Sequence, residues 1–462
     1  MTSPGSGTPG SAPIFGLRLA AFALPGAPLL ALSVPPIVFL PPYYIQHLGL
    51  EAALVGALFL VARAFDIVLN PTIGGLQDRT RTALGRRKTW LLGATPFVMF
   101  AVWLAFIGLP PQAGAILAGI AILSLYSSFA CAMIAHLGWA GELEPDYNAR
   151  TKVLGAVQLA SQLGQVFVMA LPALVELSGL GTFADGVHVM GWTIIIALPV
   201  CVGICVWSTP ERPAPPVQAR LGFGSAMKAL GENAPLRRIL IPDFLLGATQ
   251  GIAGALFILY GSHVAQLSNP AAFLLVYFSA GLLGAPLFTW LGRRYGKHKA
   301  LAWACLWWGV ALGVVPLMPQ GNATLTAIAM GIAGVPAVAG TMLLRSMMAD
   351  VADEDELRTG QQRSGLFFGL LLTTGKVGLA MGPASLIILS WFGFSGGEGA
   401  QNSDTALMAL VVMFSVVPMM INFATALSLR AYPLDAARQA ELRAAIETRN
   451  AEAAAAKTQA AS

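Results

Sequence analysis

The stretch Arg63–Lys88, RAFDIVLNPTIGGLQDRTRTALGRRK, decides how the rest of the chain is read. Its first half sets Arg63, Asp66 and Asn70 in a mostly apolar run. Its second half is a short polar loop carrying Asp78, Arg79, Arg81, Arg86, Arg87 and Lys88, and the chain turns apolar again at Trp90. Physically this is a membrane helix with a carboxylate and a guanidinium at depth, leaving the bilayer through a basic loop. An ionisable group in hydrocarbon costs at least ~2.5–3.5 kcal/mol on insertion scales, so such groups face a cavity or a partner.

Working outward, 56% of the 462 residues are hydrophobic and only 11% are charged. A soluble chain of this length carries far more charge, so the composition calls for a polytopic membrane protein. Twelve apolar spans are expected, at about 17–46, 51–77, 89–109, 114–142, 151–178, 187–208, 239–264, 271–292, 299–318, 323–349, 364–393 and 405–430. The net charge of +5 is no nucleic-acid signal, because most of the 27 Lys and Arg fall in alternate loops. The intervening loops at 47–50, 110–113, 179–186, 265–270, 319–322 and 394–404 hold none. By the positive-inside rule the basic loops and both termini are cytoplasmic, in a cell (inner or plasma) membrane. The four cysteines lie in apolar runs and read as small buried hydrophobes. Residues 1–15 lack the basic start of a signal peptide, so the first apolar span is expected to stay in place as a helix.

The fold expected is all-α, two pseudo-symmetric six-helix bundles. Residues 1–16 form a disordered cytoplasmic N-terminus, 17–208 the first bundle, 209–238 a Pro-rich cytoplasmic loop, 239–430 the second bundle and 431–462 a cytoplasmic tail. The halves echo one another. GRRK in loop 78–88 matches LGRRYGKHK (Leu291–Lys299), and Glu142 precedes Arg150 by the same interval that separates Asp350 from Arg358. Such repeats are common in secondary transporters, with the binding site at the bilayer midplane.

Helical rise gives depth. Asp66 lies about 18 Å and Lys376 about 17 Å from the basic ends of their spans; His136, Gln158 and Arg345 lie about 12 Å in. Gln158, Gln162 and Gln165 share one helix face. These groups, with Arg63, Asn70 and Thr373, are the candidate lining of a central site. A purely structural role is the alternative: an Asp–Lys pair holding helices together, glutamines bonding between helices, and His136 as a satisfied core histidine. The charges at helix ends, Asp78, Arg79, Arg86, Arg87, Glu142, Arg150, Asp350 and Arg358, are expected to pair across the cytoplasmic mouth and latch one conformation. No nucleotide loop, metal spacing or nucleophile–base pair points to an enzyme, and no cofactor or metal is implied beyond a weak sodium site at Asp66.

Four stretches, RAFDIVLNPTIGGLQDRTRTALGRRKTW, ELEPDYNART (Glu142–Thr151), MADVADEDELRTGQQRSGLFFG (Met348–Gly369) and TTGKVGLAMGP (Thr373–Pro383), resemble the glycoside–pentoside–hexuronide:cation symporter family, the melibiose-permease branch of the major facilitator superfamily. The resemblance covers essentially all twelve spans. It implies alternating access, with cation and solute sites between the bundles, Asp66 as the cation-site aspartate of helix two and Lys376 as the helix-eleven lysine. It also exposes departures. The second helix-two carboxylate is here Asn70, the acidic sugar ligand of helix one falls near Leu30, the helix-four aspartate near Met133 and the helix-five arginine near Gln158. The galactoside-binding set is therefore absent.

The function expected is symport of a small organic solute, a glycoside or hexuronide by family, by a monomer in the lipid bilayer without nucleic-acid partners. One carboxylate beside an amide suits a proton better than sodium, which wants several oxygen ligands. The alternatives are transport of an amphipathic molecule such as a lysolipid, aromatic or isoprenoid compound, since span one is apolar and Pro-rich, or a non-transporting receptor or scaffold on the same fold.

Overall fold

A computed structural model describes residues 16–111, 113–144, 147–211, 230–359, 363–397, 399–430, 432–434 and 441; for Tyr147, Asn148, Arg150, Thr151 and Ser364 the backbone alone is described. Most of the expected central loop and tail lies outside these residues. Among them, twelve helical segments are long and apolar enough to cross a membrane, from Leu17–Val38 and Ala52–Arg79 through Gly365–Trp391 and Asp404–Leu429. They pack as two groups of six, spans one to six and spans seven to twelve.

Local chemistry shapes individual spans. Span one is broken into the short helices Leu17–Ala23, Gly26–Ala31, Pro35–Val38 and Leu40–Gln46. Its six prolines remove backbone donors and crowd the preceding turn, so no unbroken helix can form. Span six begins at Phe183, where Thr182 and Asp185 make a reciprocal capping box. Span ten is interrupted between Ala323–Gly334 and Ala339–Thr359 at the Val335–Pro336 turn, and it continues past the expected membrane end through Asp350 and Asp355. Span seven starts earlier than the hydropathy pattern places it. Asn233 caps Ala234–His263, its side chain accepting from the Leu236 amide at 2.8 Å, and Pro242 is accommodated inside the helix. That early start carries Asp243 about 13 Å into the span.

The two halves meet along spans two and eleven, five and eight, and one and seven. Specific contacts between the halves sit on the side away from the basic loops. A Cβ at Gly56 would lie 2.6 Å from the Pro383 carbonyl oxygen, so spans two and eleven touch backbone to backbone there. Gln46 Nε2 donates to Ser262 Oγ at 3.4 Å, and Ile37 and Val38 pack on Gly254.

Within the second half, spans seven and eleven pack most densely, through a glycine seam. A Cβ added at Gly378 would overlap the Phe244 carbonyl oxygen and lie 2.8 Å from the Ala248 nitrogen, whereas Gly369 on the same span faces open space. Gly378→Ala is therefore expected to lower the unfolding temperature, with overpacking costing about 1–3 kcal/mol. Gly369→Ala should be neutral or stabilising, by about 0.5–1 kcal/mol from helix propensity. Thermal unfolding of the detergent-solubilised variants checks this; equal shifts for both would refute the seam.

Candidate functional site

The middle layer of the protein holds an ion pair that joins the two halves. Lys376 Nζ of span eleven donates to Asp66 Oδ2 of span two at 2.7 Å, and Arg63 NH1, one turn away on span two, lies 3.9 Å from the same oxygen. The Asp66 side chain is 4% exposed and that of Lys376 31%. The ion pairs described below, at the helix ends, each stay within one half. Span eleven bends at Ala380, between Ser364–Leu379 and Met381–Trp391, just past Lys376. The Arg63 guanidinium sits 4.9 Å over the Tyr126 ring of span four, a cation–π contact that supports a charge in a dry setting, while its Nε has no hydrogen-bond partner. Asn70, one turn beyond Asp66, keeps a buried Oδ1 without a partner.

The other expected lining residues differ in their surroundings. Gln158 and Arg345 are solvent-exposed and Gln162 is half-buried. Gln165 Nε2 donates to Ser33 Oγ at 3.3 Å, tying span five to span one. Thr373 is exposed and bonds back onto its own helix, donating to the Gly369 carbonyl at 2.9 Å. His136 is fully buried: Nε2 lies 3.0 Å from the Phe22 carbonyl oxygen and its ring rests 5.2 Å from that of Phe22. In this conformation it fastens span four to span one rather than facing a cavity.

Ion pairs of the helix-end charges form within each half. Arg87 NH2 reaches Asp78 at 2.8 Å and Glu142 at 2.7 Å, and Arg86 NH2 reaches Glu142 at 2.7 Å. Glu211 caps the same helix end, accepting from the backbone amides of Arg87 and Lys88, both at 2.9 Å. In the second half Lys297 pairs with Asp350 at 2.6 Å, the counterpart of the Arg87–Glu142 contact. Asp355, 1% exposed, collects Arg363 at 2.8 Å and Arg358 at 3.2 Å, with Asn233 at 3.3 Å. Arg79 is exposed, and the Arg150 side chain lies outside the described residues.

One acid at depth escapes the hydropathy reading. Asp243 of span seven is half-buried and accepts from Thr374 Oγ1 at 2.7 Å. Arg237 and Arg238, shortly before it, end the expected loop at 238, so Asp243 reads as a residue near the start of span seven rather than as one at depth. The Asn233 cap followed by Pro at the next helical position but one was the signal that could have moved the helix start.

A second feature is a groove of about 840 Å³ between spans two, three and four, lined by Phe65, Leu69, Ile73, Phe97, Ser128 and Cys131 among others. Its wall is almost wholly apolar.

Comparison with known proteins now bears on this geometry. The family model described as MFS/sugar transport protein matches residues 21–436. A putative glycoside/cation symporter of Escherichia coli (strain K12), YagG, is 26% identical over 86% of this chain and 87% of its own length. The isoprimeverose transporter of Lactiplantibacillus pentosus is 27% identical over 85% of this chain and 83% of its own. In solved structures, the nucleoside transporter NupG superposes with a TM-score of 0.65 at 14% identity, covering 90% of this chain and 99% of that one. At that identity it speaks for the fold alone.

Proposed function

The chain belongs to the MFS/sugar transport protein family, and from that premise we propose that it is a cation-coupled symporter of a small organic solute, a glycoside or hexuronide, with a proton rather than sodium as the coupling ion. It is a multi-pass membrane transporter and not an enzyme. The observation that carries the reading is the 2.7 Å Lys376–Asp66 pair, because it joins the two moving halves at the depth where solute must pass. Each charge stabilises the other in a layer where either alone is costly. A cation arriving at Asp66 competes with the Lys376 ammonium, so ion binding loosens the contact between spans two and eleven. Return of Lys376 to Asp66 in the unloaded protein re-forms it. Solute then sits between the halves, near Gln158, Gln162, Arg345 and Thr373.

We place the basic loops in the cytoplasm of an inner-membrane protein, so a state closed on the opposite side is inward-facing. An alkaline-phosphatase fusion after Arg238 is expected to be inactive; activity there would reverse the topology.

The alternative of an amphipathic solute gains support from the apolar groove between spans two, three and four and from the chargeless course of span one. Counterflow into proteoliposomes separates the two readings, using radiolabelled isoprimeverose, a glucuronide and a lysophosphatidylcholine. Exchange of a sugar without the lysolipid is the expected result. Lysolipid exchange alone would establish the amphipathic reading, and exchange of none of a wider glycoside panel would turn the protein into a receptor or scaffold.

A further inference from the structure

We propose that Asp243 is a second proton-binding carboxylate, housed in the C-terminal bundle and independent of the Asp66–Lys376 pair; the proposal rests on the reading of the protein as a proton-coupled transporter. The two acids stand in opposite surroundings. Asp66 has two cationic side chains within 4.0 Å, so a proton there must displace an ammonium. Among the described residues no Lys, Arg or His nitrogen forms an ion pair with Asp243; its side-chain partner is the neutral hydroxyl of Thr374.

That hydroxyl is placed to serve both protonation states. Thr374 Oγ1 lies 2.7 Å from Asp243 Oδ2, 3.1 Å from the Leu370 carbonyl oxygen and 3.0 Å from that of Leu371. A threonine hydroxyl has one proton to give and lone pairs to accept with. When Asp243 is ionised, the hydroxyl donates to the carboxylate. When Asp243 is protonated, its O–H donates to Thr374 Oγ1, and the threonine proton turns to a carbonyl of its own helix. Both states are hydrogen-bonded without any heavy atom moving, so proton exchange leaves no buried group unsatisfied.

The surroundings favour a proton over a metal ion. The glycine seam presses span eleven against Asp243: a Cβ at Gly375 would lie 3.2 Å from Oδ2. One carboxylate and one hydroxyl in so close a seam fall short of the several oxygens a hard metal ion requires. Of the elements packed against span seven, span ten contributes Arg345, which attracts the Asp243 charge from beyond ion-pair distance. Span eleven contributes Lys376, which lies on a different face from Thr374 and is bonded to Asp66. Because the geometry is nearly the same in both states, the consequence of protonation is electrostatic: it removes the charge that holds the Arg345 guanidinium, an exposed cation at solute depth.

The test is pH-difference infrared spectroscopy of the full chain in liposomes, following the carbonyl stretch of protonated carboxylic acids. It needs no solute, so failure of every counterflow assay leaves it standing. A titrating component present in the wild type is expected to vanish in Asp243→Asn and persist in Asp66→Asn. In Thr374→Val, which leaves the acid intact, the component should titrate about one pH unit higher, since the ionised form has lost its donor. A spectrum unchanged by Asp243→Asn, loss of that same Asp243-dependent component in Asp66→Asn, or a wild-type midpoint retained in Thr374→Val would each overturn the proposal.

Discussion

Asp66→Ala and Lys376→Ala each abolish active accumulation of solute, by at least about tenfold or ~1.4 kcal/mol of lost coupling, while the protein still reaches the membrane. The expectation follows from the 2.7 Å contact and the 4% exposure of the Asp66 side chain. Removing one partner leaves the other charge uncompensated at depth, a change that costs about 3–5 kcal/mol in buried pairs generally. A fall in stability alone would fit a mere helix clamp, so the double variant decides. Asp66→Ala with Lys376→Ala removes both charges and should regain thermal stability. If the pair only clamps, accumulation returns with stability. If the pair couples ion to solute, stability returns and accumulation does not, although counterflow can survive. Normal accumulation in both single variants would remove the pair from the mechanism.

What the sequence makes legible here is set by what hydropathy and charge measure. The alternation of basic and neutral loops marks twelve spans because each charge has a large transfer cost, and the helices Ala52–Arg79, Ala115–Glu142 and Asp404–Leu429 fall where that cost puts them. Depth is legible for the same reason: Asp66 and Lys376, counted separately to about the same level, are in contact. Azimuth is not. His136 shares the layer, but its face of span four turns into Phe22, and nothing in the local spacing distinguishes a helix face packed on a neighbour from one lining a cavity. Pairing is not legible either. Glu142 and Asp350 sit at matched helix ends, yet each takes its partner from its own half, Arg87 and Lys297. Asp355, the most buried acid of its segment, lay in a stretch assigned to a loop. Asp243 lies inside the expected span 239–264 but only four residues from its start, and the cap that moves the helix start to Ala234 is what sets it deeper.

Uptake into proteoliposomes is expected to follow an imposed pH gradient, to collapse with a protonophore, and to be indifferent to replacing sodium by potassium. Asn70 decides between the two ions. Sodium is a hard ion that needs several oxygen ligands, and carboxylates supply the strongest. Asp66 already spends its charge on Lys376 and Arg63, at 2.7 and 3.9 Å. The next oxygen along the same helix face is the buried Asn70 Oδ1, a neutral amide that has no hydrogen-bond partner of its own. An amide, backbone carbonyls and water form a weak shell against two competing cations, whereas a proton needs one carboxylate oxygen only. Restoring the acid should therefore change the ion. Asn70→Asp places a second carboxylate one turn from Asp66, and the variant is expected to gain uptake stimulated by sodium at fixed pH and membrane potential, with a weaker response to the pH gradient. Wild-type uptake that required sodium under those conditions would show that Asn70 Oδ1 completes a working metal site, and the proton reading would fall. A sodium response absent from both proteins would place the choice of ion elsewhere than at this helix turn.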